Sequence, residues 1–208
     1  MYKRIKFEEF PEINEWLFPR VTVILVSGKA GVGKTTAANF IRDYLDKKIT
    51  EYSYLSHFAL GVKEVAFAIG WDGKKDTKGR KLLQDIGNFG REYNKDAWVN
   101  YLINHIHETI PDEMLDVLIV DDWRFPNEAK YFLDRPELYT TFTINIQSPQ
   151  REILRGTREW KDISETSLNN YKYFDYIIKN HNSLEVFEYD TINVLMDIIS
   201  ESKKGGKS

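Results

Sequence analysis

The sequence predicts an α/β fold: a three-layer α/β/α sandwich with a mainly parallel central sheet. Three observations predict it. The apolar run Val21-Thr22-Val23-Ile24-Leu25-Val26 passes through a glycine-rich loop into a helix-like stretch. A second apolar run, residues 115–120, ends in the paired acids Asp121 and Asp122. Strand-like and helix-like stretches alternate along the rest of the chain, and continuously apolar strands belong to sheets covered on both faces.

Taken in order, residues 1–20 form a leader whose Trp16, Leu17 and Phe18 are expected to pack on the domain edge before Pro19. The first helix is predicted over 34–47. Tyr52, Tyr54 and Leu55 suit a short strand within 51–56. Residues 57–67 carry apolar side chains at helical spacing. The stretch 70–80 is polar, basic and rich in turn formers, and reads as a loop. Helices are predicted at 81–88 and about 96–108, the latter capped by Asp96 and stopped by Pro111. Beyond the strand at 115–122, residues 127–133 read as a helix and 141–146 as a strand. Residues 150–160 read as a basic helix, 176–178 as the last strand and 184–200 as the last helix. Residues 205–208 are expected to be a flexible tail. The chain then divides into a core (about 20–58 and 112–202), a helical insertion (about 58–110) and a lid (about 149–166), all within one domain of 1–204.

Bulk properties narrow the function. A chain of 208 residues that is 42% hydrophobic can bury one sizeable core. The net charge of −3 argues against a general nucleic-acid binder. Without cysteine there is neither a disulfide framework nor a thiolate metal site. No signal-peptide pattern or membrane span is visible, so the expected protein is soluble and cytoplasmic, a monomer or homodimer without membrane or nucleic-acid partners.

The loop after the first strand carries the chemistry. Gly28-Lys29-Ala30-Gly31-Val32-Gly33-Lys34-Thr35 reads G-x-x-x-x-G-K-T between a strand and a helix. Glycines let the backbone approach a polyphosphate, and successive N–H groups with the following helix N-terminus hold the anion. Residues Gly28 through Thr36 are therefore candidates for binding ATP. Lys34 would reach the β- and γ-phosphates and Thr35 would ligate Mg²⁺. A carboxylate at the end of the second buried strand completes such a metal site. Asp121 and Asp122 both qualify, and neighbours on a strand point to opposite sides, so one of them faces the loop.

Cations supply the rest. Arg124 follows the acids closely. Arg151, Arg155 and Arg158 stand at i, i+4 and i+7, one face of the predicted helix, and would clamp transferring phosphate charge. Residues 74–91 add Arg80 and Arg91, suited to a second phosphorylated molecule. A guanine-reading N-K-x-D segment is missing, since Asn94-Lys95-Asp96-Ala97 places its acid one position early. The pattern favours a kinase for a small phosphorylated acceptor over a nucleotide switch.

These blocks together resemble the deoxynucleoside monophosphate kinases of bacteriophages and bacterial genomes. The resemblance runs from about residue 21 to residue 196. It rests on Gly28-Lys29, Phe58-Ala59 with Lys63, Gly79-Arg80-Lys81-Leu82-Leu83-Gln84-Asp85-Ile86-Gly87, Arg91 with Trp98, Asp122-Trp123-Arg124-Phe125-Pro126-Asn127-Glu128-Ala129, Ser164-Glu165 and Asn180. It implies a P-loop NTPase fold of the nucleoside monophosphate kinase kind. It also implies ATP and Mg²⁺ as cofactors, and γ-phosphoryl transfer to a deoxynucleoside monophosphate. It assigns Asp122 to the metal, and Lys63, Arg80, Gln84, Arg91, Trp98, Arg124 and Glu165 to the acceptor side. Arg151, Arg155 and Arg158 go to the lid and Asn180 to the loop near adenine. Trp123 replaces the family's usual small aliphatic residue, and Asp162-Ile163 lacks the histidine common before Ser-Glu. Both changes bear on the acceptor pocket. A kinase for phosphomevalonate or dephospho-coenzyme A, or a nucleotide-binding regulatory module, would share the scaffold.

Replacing Lys34 by alanine is expected to lower turnover by about 10²-fold or more while the circular dichroism spectrum stays that of the wild type. Unchanged turnover would remove the loop from the mechanism.

Overall fold

The structure, a computed structural model, describes residues 20–111, 114–148, 150, 155–156, 159–181 and 183–203. Five strands, β1 (Val21–Ser27), β2 (Ser53–Ser56), β3 (Val117–Trp123), β4 (Tyr139–Gln147) and β5 (Tyr176–Lys179), form a sheet of order β2-β3-β1-β4-β5. Every pairing in it is parallel. The helices are α1 (Lys34–Lys48), α2 (Leu60–Ala68), α3 (Thr77–Tyr93), α4 (Ala97–Thr109), α5 (Pro126–Leu133), α6 (Ile163–Thr166) and α7 (Leu184–Lys203). None of the described helices is long and apolar enough to cross a membrane.

Strand alternation builds two cores from one sheet. On β1, Ile24 and Val26 face the layer of α1 and α7, where Ala37, Ala38, Ile41, Leu45, Phe187, Leu195 and Ile198 are buried. Val23 and Leu25 face the opposite layer, with Val99, Leu102 and Ile106 of α4 and Ala129 and Phe132 of α5. Each residue of β1 from Val23 to Val26 is wholly buried. That is why this strand reads as an unbroken apolar run. With β3 and β4 on its two sides, β1 is the central strand, and its carboxyl end delivers the glycine-rich loop between theirs.

Several elements depart from the sequence reading. Helix α3 begins at Thr77, inside the stretch expected to be a loop, because the Asp76 carboxylate accepts from the Gly79 N–H at 2.8 Å and caps it. Asp96 does precede α4, but its side chain makes no cap hydrogen bond. The basic helix expected over 150–160 is interrupted: Arg155 and Gly156 form a turn with Gly156 at φ 82, and Glu159–Lys161 is one 3-10 turn. A left-handed residue cannot continue a right-handed helix, so no helix runs on through Gly156. Arg155 is exposed. Arg151 and Arg158 lie outside the described residues, as do the leader aromatics and the tail. Helix α6 was not foreseen; Asp162 caps it by accepting from the Ser164 N–H at 2.8 Å.

Trp123 is a core residue. It is fully buried, meets Tyr171 and Phe174 edge-on at 5.1 and 5.4 Å, and donates its indole N–H to the Phe125 carbonyl at 2.8 Å. Its large ring therefore fills space between β3 and the 171–174 segment. Trp123→Ala is expected to cost about 3–5 kcal/mol in urea unfolding; a loss below about 1 kcal/mol would contradict this packing.

Candidate functional site

The loop between β1 and α1 is clamped from two sides. Gly28, Gly31 and Gly33 have φ of 140, 86 and 105, a region that side chains with a Cβ rarely adopt. A Cβ on Gly28 would lie 2.4 Å from the Ile146 carbonyl oxygen of β4, and one on Gly33 would lie 2.7 Å from Asn180 Nδ2. Asn180, just past β5, is buried. Its Nδ2 donates to the Val32 carbonyl at 2.9 Å and its backbone N–H to the Gln147 carbonyl at 2.8 Å. Asn180, which the resemblance places at the start of the loop near adenine, thus also holds the P-loop through Val32.

Side chains then radiate from this clamp. Lys34 Nζ donates to the carbonyls of Gly28 and Lys29 at 2.8 and 2.9 Å, folded over the loop. Burial, helped by the Arg124 charge, lowers its ammonium to about 8, with Glu165, Asp122 and Asp121 opposing. Lys29 reaches elsewhere: its Nζ donates to the Glu165 carbonyl and, at 2.5 Å, to Asn169 Oδ1, and lies 4.8 Å from the Trp160 ring centroid. Thr36 follows on the first turn of α1.

The strand-end acids have separate roles. Thr35 Oγ1 donates to Asp121 Oδ2 at 2.5 Å. Asp122, which the resemblance assigns to the metal, accepts from the backbone N–H groups of Phe58 and Ala59 at 2.7 and 3.1 Å and lines the same cleft as Asp121. Strand alternation sends the two carboxylates to different neighbours. Burial and the adjacent Asp122 raise the Asp121 carboxyl, while the Thr35 hydrogen bond partly offsets this. A hydroxyl and a carboxylate side by side are hard oxygen donors that fit Mg²⁺, which keeps waters and phosphate oxygens as its other ligands. Among the described residues no group of three or more His, Cys, Asp or Glu forms a fuller metal cage.

Beyond Thr35 and Asp121 opens a cleft of about 700 Å³. Lys34, Thr35, Asp121 and Asp122 line it together with Lys63, Arg80, Gln84, Arg91 and Trp98, which come from α2, α3 and α4. Arg124 and Glu165 also line it, so all seven residues expected on the acceptor side share one cavity with the P-loop. Their settings are specific. Lys63 Nζ lies 2.8 Å from His57 Nε2, a contact that suits an ammonium donating to a neutral imidazole. Burial lowers the pKa of both groups. The Arg91 guanidinium stacks 4.1 Å over the Phe125 ring and donates to Asn88 Oδ1 at 2.9 Å. Trp98 donates its indole N–H to the Gly87 carbonyl at 2.9 Å.

Arg124 is the most constrained cation. Its Nη1 donates to the Ser164 carbonyl at 3.0 Å and pairs with Glu165 Oε1. The backbone N–H groups of Arg124 and Phe125 both donate to Glu128 Oε2, at 2.8 and 2.9 Å. Burial pushes the Glu128 carboxyl up to about 8, against the pull of those two N–H groups and of Arg91. His57 and Glu128 were missed as site residues. Glu128 had a signal, a glutamate at the third position of a helix opened by Pro126, which reads as an N-terminal cap. His57 had none. Behind Arg124 and Glu165 lies a second cleft of about 510 Å³, lined among others by Lys29, Asn145, Asn169, Tyr171 and Phe174.

No family model and no curated protein matches this chain. Solved structures show a distant likeness. A thymidylate kinase from Ehrlichia chaffeensis is 13% identical, with a TM-score of 0.48 over 86% of this chain and 100% of that one. A shikimate kinase from Bacteroides thetaiotaomicron is 17% identical, with a TM-score of 0.45 over 86% of this chain and 98% of that one. An APS kinase from Mycobacterium tuberculosis, in complex with AMPPNP and APS, is 15% identical, with a TM-score of 0.43 over 86% of this chain and 99% of that one. Likenesses this distant do not bear on substrate.

The raised Glu128 carboxyl has a pH consequence. Between its ordinary value of 4.5 and about 8 the folded chain binds a proton that the unfolded chain has released. This group's contribution to stability therefore declines as pH rises through that window. Glu128→Gln keeps an acceptor oxygen but lacks the proton. The melting temperature of the wild type relative to Glu128→Gln should therefore fall by about 3 °C or more between about pH 5 and about pH 8. A difference independent of pH would contradict the assignment.

Proposed function

We propose that this chain is an ATP-dependent kinase that transfers the γ-phosphoryl group to a deoxynucleoside monophosphate, giving the diphosphate. The observation that carries the reading is the shared cleft, in which a P-loop lysine, a threonine and Asp121 line one cavity with Lys63, Arg80 and Arg91. Phosphoryl transfer depends on alignment and charge neutralisation more than on covalent help from the protein. Lys34 and the loop N–H groups would hold the β- and γ-phosphates, and Thr35 with Asp121 would hold Mg²⁺. Held there, Mg²⁺ would supply neutralisation of phosphate charge. Arg124, in the same cleft, would face the transferring group. Arg151, Arg155 and Arg158 are proposed as lid cations that approach from the 149–166 segment. No general base is needed, because a monophosphate oxygen is already anionic at neutral pH.

Gln84, Trp98 and Phe125 give the cleft lining an amide and two aromatic rings, residue types suited to a nucleobase. This favours a nucleotide acceptor over a purely aliphatic one. The test is ADP release with ATP–Mg²⁺ across dTMP, dGMP, dCMP, dAMP, phosphomevalonate and dephospho-coenzyme A. Turnover is expected with at least one deoxynucleoside monophosphate, and Asp121→Asn should lower it about 10²-fold. Turnover with a non-nucleotide acceptor alone would overturn the substrate assignment. Tight ATP binding with no acceptor-dependent ADP release would make the protein a regulatory module.

A further inference from the structure

Glu165 is a buried carboxylate that makes two different attachments. Its side chain is 3% exposed, and Oε1 pairs with Arg124 Nη1 while Oε2 accepts from the Ala30 N–H of the P-loop at 3.2 Å. The segment bearing it is bolted to both partners by further bonds. Lys29 donates to the Glu165 carbonyl, Arg124 to the Ser164 carbonyl at 3.0 Å, and Ser167 Oγ to the Arg124 carbonyl. Glu165 comes from α6, a four-residue helix that packs on the Glu159–Lys161 turn.

This geometry solves an electrostatic problem. Arg124 and Lys34 are close enough that the guanidinium depresses the ammonium. Left alone, the two cations would repel, and the long arginine side chain would take many rotamers. One carboxylate spanning the loop amide and the guanidinium fixes the separation between the P-loop and Arg124. In a phosphoryl transfer that separation sets the alignment between the donor and acceptor phosphates, and a misplacement of about 1 Å costs about 10²-fold in rate.

We propose that Glu165 is a positioning residue rather than an acceptor-binding one: it holds Arg124 in register with the P-loop, and it acts on turnover only through Arg124. The proposal rests on the kinase reading for its kinetic consequence but not for its geometry. Glu165→Gln preserves size and one acceptor oxygen while removing the charge. With the acceptor that the protein turns over, kcat should fall between about tenfold and about 10²-fold, and the Kd for ATP–Mg²⁺ should stay within about threefold. In an Arg124→Ala background the same substitution should change kcat by less than about twofold, because residues that act as a unit are not additive. An equal loss with and without Arg124 would overturn the proposal, as would a raised acceptor KM at unchanged kcat. A readout independent of activity separates this claim from the kinase reading. In ¹⁵N spectra, the Arg124 guanidinium, identified by its loss in Arg124→Lys, should give slowly exchanging Nη protons in the wild type and lose them in Glu165→Gln. If those protons persist in the variant, Glu165 does not hold Arg124, whatever the protein is found to phosphorylate.

Discussion

The clamp on the loop between β1 and α1 is the constraint from which the rest of the site follows. β4 presses on it through the Ile146 carbonyl, and Asn180 grips it through Val32, leaving no room for a Cβ at Gly28 or Gly33. A loop so confined has few backbone conformations left to lose, which lowers the entropic cost of binding an anion. The clamp exists because β1 is the central strand. Its neighbours β3 and β4 end beside it, so one supplies the acids and the other the wall.

Charge in the cleft is half-buried and unevenly balanced. Lys34 is driven down by burial and Arg124, and Asp121 is driven up by burial and Asp122. Burial is the larger cause of both shifts, and phosphate with a divalent cation would offset both charges. Glu128 and Glu165 serve Arg124 from its two ends, one binding its backbone N–H and the other its guanidinium. A mobile surface arginine is thereby turned into a fixed donor.

Local patterns made much of this legible. The P-loop, the apolar β1 and β3, and the helices flanking the sheet follow from glycine spacing, continuous burial and 3.6-residue periodicity. The blocks carrying Arg80, Gln84, Arg91 and Trp98 converge on the cleft as expected. What escaped depends on long-range pairing or single backbone angles. Asp76 starts α3 inside a polar stretch whose composition reads as loop. Gly156 breaks the basic helix through one positive φ. The choice between Asp121 and Asp122 turns on which face of β3 meets Thr35, which no spacing reveals. Glu165 reaches the P-loop from a segment 135 residues away. Trp123, which stands where the resembled family has a small aliphatic residue, packs its ring into the core, a placement set by Tyr171 and Phe174 far along the chain.

The central claim is that the clamped loop receives a triphosphate beside Thr35 and Asp121. A crystal structure with a non-hydrolysable ATP analogue and Mg²⁺ tests it most directly. The account predicts phosphates inside the loop of Gly28 to Thr35, Lys34 Nζ released from the Gly28 and Lys29 carbonyls onto a phosphate oxygen, and the ion about 2.1 Å from Thr35 Oγ1. Phosphates bound elsewhere, with Lys34 still folded on its own loop, would contradict it.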